Sequence, residues 1–123
     1  MKVDKIYTKA GSKFSEQIEI WASNRCNELV SVAEKINENI ERYDSLLIFN
    51  ENQNLNKEIA EIKSLFDKQQ KAIHKIDING TLRVGLSNLE LWAEQNKCKR
   101  LLILGADELV KNPNLERYLN MEN

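Results

Sequence analysis

Between Ala22 and Leu47, apolar or small residues recur at alternating steps of four and three: Ala22, Cys26, Leu29, Ala33, Ile36, Ile40, Tyr43 and Leu47. A recurrence sustained this long is the pattern of a helix packing lengthwise on another helix. Ser12 or Ser15, just beyond Gly11, supplies a cap, and Phe14, Ile18 and Trp21 continue the stripe with one irregular step. The spacing predicts a helix over about 12–49, roughly 50 Å long at 1.5 Å per residue.

Asn50-Glu51-Asn52-Gln53-Asn54 interrupts the pattern with turn-favouring residues. A second seam follows: Leu55, Ile59, Ile62, Phe66, Gln69, Ile73 and Ile76. Read outward from the interruption, the two sets of steps coincide, so folding the chain back pairs Leu47 with Leu55, Tyr43 with Ile59, Ile40 with Ile62 and Ile36 with Phe66. The expectation is an antiparallel helical hairpin, coiled-coil-like, with its second arm over about 54–78. Glu34, Glu38 and Glu41 on one arm and Lys68, Lys71 and Lys75 on the other read as solvated faces able to form cross-helix pairs.

In the second half, Asn79-Gly80 is a hairpin signal, but a two-residue loop would put Ile76 and Ile78 opposite Arg83 and Thr81. Gly80 reads better as a helix C-terminal cap, with Thr81 opening a third helix over about 81–97 that carries Leu82, Leu86, Leu89, Trp92 and Ala93. Leu101-Leu102-Ile103-Leu104 fits either a fourth helix, the favoured reading, or a minor strand over 101–104. A strand there would need a partner, and the stretch from Val3 to Thr8 is the only candidate. Asn112-Pro113 starts a short final helix through Leu119. The fold expected is therefore all-α, one helical domain over 1–123.

Composition agrees with a folded chain. Apolar residues make up 41% and charged residues 30%, and one Pro with four Gly is little punctuation for a strand-rich fold. A net charge of −1 gives no general attraction to nucleic acid or anionic lipid. No apolar run is long enough to span a bilayer, and Met1-Lys2-Val3-Asp4-Lys5 lacks a secretory signal's apolar core. Two isolated cysteines, Cys26 and Cys98, suit a reducing compartment, so a cytoplasmic protein without membrane contact is expected.

Candidate chemistry is sparse. His74 is the lone histidine, neither cysteine has a second ligand at zinc spacing, and no phosphate-loop pattern occurs. No catalytic residue, metal or cofactor is expected, and the chain does not read as an enzyme. The reading favoured is a helical protein–protein interaction module, an adaptor, assembly factor or small inhibitor, with self-association into a homo-oligomer. Its surface would comprise Phe14, Ile18, Trp21 and Trp92. The alternative is a nucleic-acid-associated regulator using Arg83, Lys97, Lys99 and Arg100. A second alternative is a small-ligand binder or enzyme with a pocket near Gly105.

Overall fold

Leu46-Leu47-Ile48-Phe49 and Leu101-Leu102-Ile103-Leu104 are unbroken apolar runs, the signature of strands covered on both faces. The computed structural model of the protein, which describes residues 1–121, places both runs at the centre of a parallel sheet. Its strands are β1 (Val3–Lys9), β2 (Cys26–Val32), β3 (Ser45–Asn50), β4 (Ala72–Asp77) and β5 (Arg100–Gly105). The helices are α1 (Lys13–Ser23), α2 (Lys57–Lys68), α3 (Leu82–Gln95) and α4 (Pro113–Leu119), with 3-10 segments at Ile36–Glu38, Ile40–Arg42 and Asp107–Lys111. The strand order is β2-β1-β5-β3-β4, and every pairing is parallel, with Ile6 beside Leu101 and Leu47 beside Ile103.

Alternation along the strands builds two cores. Leu47, Phe49, Leu101 and Ile103 point to one face, against Phe14, Ile18 and Trp21 of α1, Leu86 and Leu89 of α3, and Tyr118 of α4. Leu46, Ile48, Leu102 and Leu104 point to the other, against Ile59, Ile62 and Phe66 of α2 and against Ile36, Ile40 and Tyr43. Layers on both faces leave only β2 and β4 as edges.

The expected all-α fold, its long helical hairpin and the coiled coil are overturned by this sheet. The reason is physical. Ala22, Cys26, Ile36, Ile40, Tyr43 and Leu47 are indeed buried, but they belong to a helix end, two strands and two 3-10 turns. Likewise Ile59, Ile62 and Phe66 line the inner face of α2, whereas Ile73 and Ile76 sit on β4 and face opposite cores. The recurrence located mostly inward positions, Ala33 and Gln69 being exposed, and a βαβ chain has those at similar mean spacing. The third helix expected over 81–97 stands at Leu82–Gln95, and Asn112 caps α4 through the amide of Asn114 with Pro113 in the first turn. Gly80 closes no helix; it lies in the turn between β4 and α3. The run 101–104 is strand, paired with the Val3–Lys9 stretch. Among the described residues no helix is long and apolar enough to cross a membrane.

A crevice at the carboxyl edge of the sheet

Strand β1 leaves the sheet through Ala10 and Gly11 into α1 on one face. Strand β3 leaves through residues 51–56 into α2 on the other face. Strand β5 lies between them, so above its carboxyl end the chain departs in opposite directions and a crevice opens. Sequence dictates this locally. Gly11 has φ +76°, a left-handed conformation that turns the chain sharply from strand to helix. Ser12 then caps α1 by accepting from the amide of Ser15, and Asn56 caps α2 by accepting from the amide of Ile59.

Two contiguous cavities occupy the crevice. One, of about 230 Å³, lies between the two helix starts and the Gly105–Glu108 turn. The other, of about 270 Å³, runs beneath residues 50–56 towards Leu109. Asn56, Ile59, Ala106 and Glu108 line both. A third cavity, of about 360 Å³, lies beyond Lys9 and Glu58 at the ends of β1 and β2. The wall between the first and third is an ion pair, Lys9 Nζ to Glu58 Oε1 at 2.7 Å.

The roof over the second cavity is held by amides. Asn52 and Gln53 both have positive φ, and Glu51 and Asn54 bridge around them as a tight turn. The Asp77 carboxylate accepts from the Asn52 amide at 3.1 Å and from Gln53 Nε2 at 3.2 Å. Asn112 donates to Glu51 and to Asn79, tying the turn to the start of α4.

The electrostatics are unusual for a crevice in this position. The amino end of a helix attracts anions. Here α1 is already served, since Asp107 Oδ1 accepts from the Phe14 amide at 3.1 Å and from Ser12 Oγ at 2.8 Å. Those two bonds, the Phe14 amide foremost, hold the Asp107 carboxyl below its ordinary value. Glu51, Glu58 and Glu108 also line the crevice, against Lys9 as the cation. Gly105, on the floor, is required by packing: a Cβ there would lie 2.6 Å from the Phe14 ring.

The residues singled out from sequence fall elsewhere, apart from Phe14, whose amide meets Asp107 and whose ring underlies Gly105, and the pocket expected near Gly105, where a cavity does lie. Phe14 and Ile18 are fully buried and Trp21 is 4% exposed, so they are core and present no docking surface. Trp92 is half-buried and stacks on His74, with ring centroids 5.2 Å apart. Burial lowers the His74 pKa. Arg83 opens α3 whereas Lys97, Lys99 and Arg100 follow its far end, a helix length of roughly 20 Å away. These four do not gather on one face. The backbone amides of Lys99 and Arg100 bind Asp44, and Arg100 Nε donates to the Arg42 carbonyl. Both cysteines are buried, which raises their thiol pKa values. Among the described residues no group of three His, Cys, Asp or Glu is placed to hold a metal ion. Sequence reading missed Lys9, Asn56 and Glu58. The pair Gly11-Ser12 was the available signal, once the preceding stretch is taken as a strand.

Fold and crevice together define a doubly wound parallel α/β domain with a cleft at its topological switch point. No family model matches the chain, and no curated protein matches it. Among solved structures it is similar to a crystal structure from Syntrophus aciditrophicus SB named "Putative molybdenum carrier protein", with a TM-score of 0.64. The identity is 16%, over 95% of this chain and 90% of that one. At that identity the likeness shows a shared fold.

Proposed function

We propose that this chain is a small-molecule-binding domain whose crevice selects neutral or cationic polar ligands over oxyanions. The observation that carries the reading is the Asp107 carboxylate on the amino end of α1, inside the cleft where open parallel sheets bind ligands. An incoming phosphate or molybdate would have to displace a carboxylate and then face Glu58 and Glu108. The molybdenum in the neighbour's name therefore does not carry over to this chain as a bound oxyanion. The side chains of Asn54 and Asn56, with the Gly11–Ser12 turn, supply hydrogen-bonding groups suited to an uncharged polar ligand. The test is thermal denaturation against a panel of neutral, cationic and anionic metabolites with phosphate and molybdate included. Stabilisation by neutral or cationic members supports the reading, and stabilisation by either oxyanion at sub-millimolar concentration defeats it.

A protein-partner role keeps one observation in its favour, on a different surface from that expected. Val84 and Leu91, one heptad apart on α3, are 55% and 53% exposed. If this face mediates self-association, Leu91→Glu lowers the oligomer mass in sedimentation; an unchanged mass removes the reading.

A further inference from the structure

The third cavity lies at the ends of β1 and β2, against the flank of α2. Its inner wall is apolar, made by Val32, Ile36 and Ile62; its rim carries the carboxylates of Glu34, Glu58 and Glu61 and the ammonium groups of Lys9, paired with Glu58, and Lys35, paired with Glu38. Glu34 stands two positions beyond the end of β2 and roughly twenty beyond the Gly11 turn. In dinucleotide-binding doubly wound domains an acidic side chain about 20 residues past a Gly-x-Gly-x-x-Gly turn, of which this chain keeps only Gly11, faces a ribose, because a carboxylate can accept from two adjacent hydroxyls at once. Glu34 has that capacity: it is exposed, and its carboxylate accepts from Arg42 Nη1 at 3.2 Å through one oxygen.

We propose that this slot binds a ribonucleoside without phosphate, the base against Val32, Ile36 and Ile62 and the ribose diol on Glu34. The cavity of about 360 Å³ is of small-molecule size, at the lower end of the range for such sites. The 5′ side of the sugar points towards the Lys9–Glu58 wall and the crevice beyond it. There the position that a phosphate takes on α1 in dinucleotide-binding domains is filled by Asp107. Base and ribose are thus provided for and the phosphate is refused. The proposal rests on the reading of the crevice as a small-ligand site and names its ligand class.

The experiment is calorimetric titration of the full chain with each common ribonucleoside, with the matching 5′-monophosphate and with the 2′,3′-dideoxynucleoside. At least one ribonucleoside binds, and its monophosphate and its dideoxy form each bind about tenfold more weakly or worse, as expected when a charge is refused or a hydrogen-bonding partner lost. Glu34→Gln narrows the gap between the ribo and dideoxy forms. Ala33→Trp, a change at an exposed position on the slot, abolishes binding while circular dichroism shows the fold retained. Monophosphate binding as tight as nucleoside binding overturns the proposal, as does a ribonucleoside site insensitive to Ala33→Trp. Absence of nucleoside binding also overturns it; the crevice reading then survives only if another panel member stabilises the protein, and falls with it if none does.

Discussion

The Asp107 carboxylate accepts a 2.8 Å hydrogen bond from the Ser12 hydroxyl across 95 residues of chain, and thereby sits on the amino end of α1. The last third of the protein supplies an anion to its first helix. This contact joins the α1 start to the 3-10 segment after β5.

That contact gives a pH dependence with a definite sign. The Asp107 carboxyl is held below its ordinary value of 3.8 by the Phe14 amide and then by Ser12. A carboxyl depressed in the folded state contributes stability that is complete above its unfolded pKa. That contribution is lost as pH falls through the folded one. Asp107→Ala costs about 1 kcal/mol near neutral pH by capping and dipole terms. The difference from the parent protein shrinks as the solution is acidified below the unfolded value. Urea midpoints at neutral and strongly acid pH measure it; a constant difference would refute the assignment.

His74 titrates against the same rule in a different window. Burial against Trp92 lowers its folded pKa below the ordinary 6.5, so the unfolded chain binds the proton more readily. Stability attributable to this group is complete above pH 6.5 and declines as pH falls below it. His74→Phe keeps the stacking and removes the titration. Its melting temperature therefore loses less than the parent's between neutral and mildly acid solution, and equal losses would contradict the prediction.

Gly105 and Phe14 form a size-matched pair. A Cβ at Gly105 would lie 2.6 Å from the Phe14 ring, so Gly105→Ala forces the ring or the strand to move. Overpacking of this kind costs about 1–3 kcal/mol. In a Phe14→Leu background the same change costs less, and a double-mutant cycle by denaturant unfolding reports the coupling. Additive effects would show that the two positions do not meet.

The Lys9–Glu58 pair is exposed and divides two cavities, so its removal is nearly neutral for folding. Lys9→Ala shifts stability by less than about 1 kcal/mol. It also merges the first and third cavities, so the variant accepts bulkier members of the ligand panel than the parent does. An unchanged size limit would show that the wall is elsewhere.

What the sequence disclosed was inwardness rather than backbone. Ile59, Ile62 and Phe66 read as one helical face and are one. Thr81 and Asn112 announced α3 and α4, because caps and Pro act within a few residues. The central strands were obscured because a buried parallel strand has no alternation. Leu46–Phe49 therefore blended into a heptad count that also used Ile40 and Tyr43. Both β1 and β2 carry polar positions, Asp4, Lys5, Asn27 and Glu28, and this masked them. The crevice could not be read for a related reason. Ser12 and Asp107 meet only through the order in which β1 and β5 pair, a long-range fact that no local pattern carries.

The most direct test of the central claim is amide chemical-shift mapping on isotopically labelled protein, with a library of neutral and cationic fragments set against phosphate and molybdate. Shifts are expected at Gly11, Ser12, Asn56, Ala106 and Glu108 with members of the library, and none there with either oxyanion. Oxyanion shifts centred on Ser12 and Phe14, or fragment shifts that avoid the carboxyl edge of the sheet altogether, would contradict it.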